Sequence, residues 1–235
     1  MCDLAAGLGG VSGWDCTSGV PTLGSVCSGT TSYWTGVTCD SSSNVIQILM
    51  YISSLTGSLS TSLGLLTSLT KLELHYNNLV GVIPTEIGYL TSLRSLNLLS
   101  NKLSGTIPTT IGYMTKLTYF YLYGNKLTGT IPSTIGYLSS LSILYPDYNK
   151  LTGTIPSTIG YMTALNTISL YENQLSGTIP TTIGYLTSLT YLNFYSLAWY
   201  FQYSSLSGPI PTSIGYLTLL TYVNLKGSGI SGTIP

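Results

Sequence analysis

The sequence predicts one elongated solenoid of stacked coils, with a parallel β-sheet along one face and a cysteine-pinned cap before it. Three observations carry that reading. Leu69, Leu93, Leu117, Leu141, Leu165 and Leu189 recur every 24 residues, and periods of this length mark stacked supersecondary units. Within each unit a short alternating apolar stretch is followed by a Gly- and Pro-interrupted return, which excludes a long helix. All four cysteines precede the first complete unit.

One unit reads LRSLNLLSNKLSGTIPTTIGYMTK, from Leu93 to Lys116. Its run of L-x-x-L-x-L-x-x-N-x-L marks a leucine-rich repeat. The fold class is therefore a leucine-rich-repeat solenoid of α/β type, mostly β with 3-10 turns. In the unit from Leu69, Leu72 and Leu74 point inward. Thr70, Lys71, Glu73, His75 and Tyr76 face solvent, as the twofold period of a strand requires. Parallel strands need a crossover, and the rest of the unit supplies it. Gly81 and Pro84 break any helix there, while Ile83, Ile87 and Leu90 return apolar groups to the core. A unit this small cannot close a core alone and must bury its apolar edge against its neighbours.

Asn77, Asn101, Asn125, Asn149 and Asn173 recur where the chain leaves each strand. A buried amide there can satisfy backbone groups that no ladder reaches, so these residues read as a structural ladder. Three irregularities break the pattern. Pro146 stands where the other units have leucine, and proline is unusual in a central strand. The unit from Leu189 runs 31 residues, with an insertion near 196–202 (SLAWYFQ) that displaces the ladder residue and leaves Ser204. Insertions of this kind become loops on one face and often bind. The last unit, from Leu220, stops incomplete at Pro235.

Only 6% of the 235 residues are charged and the net charge is zero. That removes the electrostatic footprint of a nucleic-acid or anionic-membrane binder. Mean hydropathy is high at +0.37, yet no apolar run approaches a membrane span, so the hydropathy belongs to the repeated core. The opening MCDLAAGLGGVSGW lacks the basic and apolar regions of a secretion signal.

Cys2, Cys16, Cys27 and Cys39 allow three pairings. Zinc is disfavoured, because no C-x-x-C pair exists and His75 is remote. Disulfides pinning an N-terminal cap fit better, since a solenoid end must be covered. Cys27–Cys39 with Cys2–Cys16 is the preferred pairing. The expected division is a cap over 1–44 and a solenoid over 45–235. Disulfides place the chain in an oxidising, extracellular compartment.

Trp34, Gly36, Val37 and Cys39 in WTGVTCD, with Leu103, Gly105, Ile107, Pro108, Ile111, Gly112 and Met114 in the repeat, resemble the plant-type extracellular leucine-rich-repeat family. That family includes receptor-kinase ectodomains and polygalacturonase-inhibiting proteins. The resemblance implies a curved, twisted solenoid with its sheet on the concave face. It also implies recognition or scaffolding instead of catalysis, with no cofactor. One departure is that the I-G glycine, typically followed by Asn or Asp in the family, is followed here by Tyr89, Tyr113, Tyr137, Tyr161, Tyr185 and Tyr216.

Candidate sites are few. The lone His75 beside Glu73 has no nucleophile and orienting acid around it, so it reads as a surface histidine. Aromatics are the stronger signal, with 20 tyrosines against 3 phenylalanines. Tyrosine gives a surface large contact area with a polar tip. Tyr119, Tyr121, Tyr123, Tyr145, Tyr148, Tyr171, Tyr191 and Tyr195 fall on concave positions and form a candidate binding surface, joined by Trp199, Tyr200 and Phe201 of the insertion. The I-G-Tyr ladder is a candidate assembly surface. Thr106, Thr130, Thr154 and Thr178 form a further row.

Two functions follow. The uniform repeats, scarce charge and open end favour a non-enzymatic extracellular structural solenoid that self-associates head-to-tail into a fibre or matrix. The alternative is a recognition module binding a peptide, glycan or secreted enzyme on its concave face. The threonine row raises ice binding as a minor third reading. The partner is thus protein, with a glycan as a further class.

Overall fold

The computed structural model describes residues 27–28, 31–32, 34–196 and 205–234. Cys2, Cys16, Trp199, Tyr200, Phe201 and Ser204 lie outside the described residues.

Each coil contributes one short strand to a parallel sheet: Lys71–Glu73, Ser95–Asn97, Tyr119–Tyr121, Ile143–Tyr145, Thr167–Ser169, Tyr191–Asn193 and Tyr222–Asn224. Register follows the repeat, with Leu72 opposite Leu96, then Phe120, then Leu144. These residues are the inward members of their strands and are at most 1% exposed. Val45–Leu49 pairs parallel ahead of them, and Val37–Cys39 closes that edge antiparallel. The Cys27–Cys39 disulfide ties this edge strand to a small hairpin of Cys27–Ser28 and Thr31–Ser32. Trp34 beside it is 6% exposed and joins the core. The sheet's open edge is thus covered by an antiparallel strand and a ring, which is how a solenoid end avoids becoming a template.

The return path opens at a proline in each unit. Pro84, Pro108, Pro132, Pro156 and Pro180 hold extended backbone just before the 3-10 turns Thr85–Tyr89, Thr109–Tyr113, Ser133–Tyr137, Ser157–Tyr161 and Thr181–Tyr185. Proline's missing donor costs nothing at the start of such a turn. In each turn the isoleucine and glycine are buried. A Cβ on Gly136 would lie 2.4 Å from the Thr158 carbonyl oxygen of the next coil, so the tight coil-on-coil packing needs glycine there.

The structure adds a second sheet where the sequence reading placed only a broken return. Thr152–Thr154, Gln174–Gly177, Ser205–Gly208 and Gly229–Ile230 form a four-stranded parallel ladder on another face. Isolated bridges such as Val82 to Ser104 and Thr130 to Thr152 extend the pattern to earlier coils. The glycines that look like breakers belong to it. Gly153 adopts φ +72°, and the Thr130 methyl carbon lies 2.7 Å from where its Cβ would stand. The threonine of one coil therefore seats over the glycine of the next.

Pro146 also finds its place. It falls one residue beyond the Ile143–Tyr145 strand, which pairs with Thr167–Ser169 over two residue pairs where the flanking strands pair over three. The missing N–H removes one rung and no more. Its carbonyl still accepts from the Asn149 and Asn173 amides.

The ladder asparagines join the coils. Asn125 accepts from the Leu103 N–H of the preceding coil through its side-chain oxygen, at 3.0 Å. Its NH2 donates to the carbonyls of Leu98 in that coil and Leu122 in its own, at 2.9 and 3.0 Å. Asn77, Asn101, Asn149 and Asn173 repeat the pattern. Removing one amide strands several buried groups at once. Asn125→Ala is expected to lower unfolding free energy by about 1–3 kcal/mol, or somewhat more if no water enters. Chemical denaturation checks this, and a midpoint equal to wild type contradicts it.

Candidate recognition face

The outward side of the long sheet carries the aromatic residues. Their side chains stand on alternate strand positions, so neighbouring coils bring them into contact. Tyr119 stacks on Tyr121 at 6.3 Å, and Tyr121 meets Tyr145 edge-on at 6.5 Å. Tyr145 stacks with Tyr123 at 5.6 Å, and Tyr123 meets Tyr148 at 5.0 Å. Tyr148 meets Tyr171 at 4.7 Å and hydrogen-bonds its hydroxyl at 2.8 Å, and Tyr171 stacks on Tyr195 at 5.0 Å. These seven rings form one continuous band across four coils. Such pairs hold each ring in place beyond what burial alone gives.

Tyr191 stands apart from the band. It stacks on Tyr222 at 4.4 Å, a partner that the sequence reading omitted. Tyr222 occupies the same position one long unit later, so the period itself would have found it. A second omission lies at the other end, where Tyr51 stacks on His75 at 4.9 Å and His75 sits 3.5 Å from Glu73. Among the described residues no cluster of His, Cys, Asp or Glu is placed to hold a metal.

Beneath the band lies Asp147, 1% exposed. It follows Pro146 and accepts from the Ser169 hydroxyl at 2.6 Å and the Tyr171 N–H at 2.9 Å. Burial pushes its carboxyl up to about 7, against the two hydrogen bonds that favour the charged form. Burial, with Asp147 next, pushes the Tyr145 phenol up to about 12. Burial likewise raises Tyr121, Tyr123, Tyr171 and Tyr191. Tyr121, Tyr123, Tyr145 and Tyr171 of the band therefore present neutral hydroxyls, able to donate as well as accept.

The I-G-Tyr ladder lies on the crossover side. Tyr89, Tyr113, Tyr137, Tyr161, Tyr185 and Tyr216 are 55–69% exposed. The Tyr89 and Tyr137 ring edges lie 3.2 Å from the Cβ positions of Gly64 and Gly112, so these rings rest over the preceding coil's glycine. Thr106, Thr130, Thr154 and Thr178 are exposed, Thr154 in the second sheet and Thr130 bridged to it, with their methyls seated over Gly129, Gly153, Gly177 and Gly208.

The buried acid makes stability pH-dependent with a definite sign. Asp147 has a raised folded pKa, so the folded state holds a proton that the unfolded chain has lost between pH 3.8 and about 7. Stability must fall as pH rises through that window, by up to roughly 1.4 kcal/mol per unit from this one group, and level off above it. Asp147→Asn is expected to remove that slope while keeping the Ser169 contact. Urea unfolding at pH 4.5 and pH 7.5 measures it, and an equal slope in both proteins contradicts the assignment.

Comparisons place this geometry among known proteins. Leucine rich repeat models match residues 67–127, 91–151 and 164–186. A search of curated proteins returns no match. The solved structure of the plant peptide hormone receptor RGFR1 in complex with RGF2 is 39% identical, over 77% of this chain and 28% of that one, with a TM-score of 0.73. The PEPR1–AtPEP1 structure is 36% identical, over 94% of this chain and 30% of that one, with a TM-score of 0.83. This chain thus spans under a third of each of these two receptor chains. A plant ice-binding protein is 26% identical, over all of this chain and 86% of that one, with a TM-score of 0.66. The repeat, the disulfide-tied edge strand and these likenesses together make the chain a member of the plant-type extracellular leucine-rich-repeat family.

Proposed function

We propose that the chain is a non-enzymatic, extracellular recognition module that binds an extended peptide segment of another protein on its concave face. The observation that carries this is the continuous band from Tyr119 to Tyr195, set on a scaffold that is otherwise nearly uniform from coil to coil. The strands beneath are paired on both sides through most of the sheet, so a ligand cannot join as a strand and must be held by side chains. Rigid amphipathic rings suit that task at low entropic cost. The likeness to a plant peptide hormone receptor supports the same reading over a self-associating fibre, which no comparison favours.

Selection of linear peptides from a random display library tests it. Binders are expected to lose about tenfold or more in affinity on Tyr148→Ala or Tyr171→Ala, as central aromatic contacts do. Binders indifferent to both changes contradict the concave site.

A second reading rests on a different face. The second sheet repeats Thr-Gly-Thr at residues 128–130 and 152–154, uncharged, with threonine side chains fixed by the glycine seats. An ordered array of hydroxyls and methyls suits a water lattice, and the similar plant ice-binding protein is the reason to test it. Under this reading the purified chain slows ice recrystallisation, and Thr130→Tyr with Thr154→Tyr abolishes the effect. Wild-type protein without effect on ice growth removes the reading.

A further inference from the structure

We infer that the peptide recognised by the concave face is acidic, and that Lys102, Lys126 and Lys150 engage its carboxylates. This rests on the recognition reading above and adds the ligand's chemistry. The three lysines follow the ladder asparagines of consecutive coils, between the concave sheet and the second sheet. Their N–H groups donate to Leu79, Leu103 and Leu127 of the preceding coils at 2.7–2.8 Å, which fixes the backbone of the row. All three side chains are exposed, and none is ion-paired among the described residues. They account for three of the seven basic residues in the whole chain, so the concentration is not a by-product of a charged surface.

The fold does not require them. Asn78 and Gln174 hold the same position in flanking coils. Like charges on adjacent coils repel, so a row of three works against folding. The acids on this part of the face are withdrawn: Asp147 is 1% exposed and Glu172 is 6% exposed. Glu73, two coils before Tyr121, is part-exposed and bonded by the Ser95 hydroxyl, so the fully exposed charge in the coils of the tyrosine band is positive.

Tyr76, Ser100, Gly124 and Tyr148 occupy one column, two residues before the lysine position of their coils. Backbone geometry does not call for glycine there, because Tyr76, Ser100 and Tyr148 all hold φ near +50°. A Cβ on Gly124 would meet Ser100 at ordinary distances, its hydroxyl at 3.4 Å and its Cα and N at 3.6 and 3.7 Å. Ser100 and Gly124 thus stand between the exposed Tyr76 and Tyr148, where the Tyr123 ring reaches across to Tyr148, and Lys102 and Lys126 follow two residues later in the same coils. Coils stack at roughly 4.8 Å, and alternate side chains of an extended peptide are roughly 6.6 Å apart. Lysine stems are long enough to absorb the mismatch over three coils. A peptide lying along the solenoid would turn one set of side chains to the lysines and the other to the tyrosines.

The experiment compares labelled peptides that alternate leucine with aspartate, asparagine or lysine, together with a short uronic-acid oligosaccharide. The aspartate peptide is expected to bind at least tenfold more tightly than the asparagine one at low salt, and to weaken steeply as salt rises. Lys102→Gln, Lys126→Gln and Lys150→Gln combined should erase that preference, with an unchanged thermal midpoint showing that the fold is intact. Equal binding of all three peptides, with sensitivity to Tyr148→Ala, overturns the acidic ligand and leaves the recognition face standing. Binding of the oligosaccharide through the same lysines, without peptide binding, overturns the peptide in favour of a uronate. Aspartate-peptide binding that ignores both the lysines and Tyr148 overturns both readings.

Discussion

The side-chain amide of the ladder asparagine is the interaction on which the rest of the structure depends. Each coil turns away from its strand at a point where backbone groups face inward with no ladder to join. One amide bonds the preceding coil and its own coil together, as Asn125 does with Leu103, Leu98 and Leu122. A buried polar group is tolerated when its partners are complete, and here they are complete because the coils repeat. The pitch of the solenoid is set by this contact together with the glycine seats, which allow coils to approach more closely than any side chain would permit.

A rigid pitch has a functional consequence. With the inward positions committed to leucine, isoleucine and phenylalanine, the outward strand positions are free to vary without disturbing the fold. Tyrosine occupies many of them in the middle coils, and the fixed coil spacing turns separate residues into one band of touching rings. Asp147 shows the limit of that freedom. Pro146 removes a rung beside it, and the carboxyl tucks under the rings, takes the Ser169 hydroxyl and is held near neutrality by burial. The lysine row lies where no packing constrains the residue type, and its charge remains in water.

Much of this was legible in the sequence. The period, the inward leucines and the asparagine positions follow from spacing because each is repeated, whereas Cys27–Cys39 is the preferred one of three pairings that the sequence allows. The second sheet was not legible. Gly-Thr and Gly-Pro read as breakers in isolation, and only the seating of Thr130 over Gly153 of the next coil makes a strand there. The contacts within the tyrosine band were hidden for a similar reason. Position showed which rings share a face, but ring-to-ring contact depends on side-chain rotation across coils, so Tyr191 joins Tyr222 instead of its neighbours in the band. Pro146 looked like a broken central strand, because the repeat alone does not show that each strand ends one residue before that position, as Tyr119–Tyr121, Ile143–Tyr145 and Thr167–Ser169 do.

The central claim is that recognition occurs on the concave aromatic band. Hydrogen exchange of the chain with and without a library-selected peptide tests it most directly. Protection is predicted in the segments that carry the band, Tyr119–Tyr121, Ile143–Tyr145 and the turn through Tyr171, with the Ser133–Tyr137 and Ser157–Tyr161 turns unchanged. Protection confined to those turns, or to the Thr152–Thr154 and Gln174–Gly177 strands, would contradict the account.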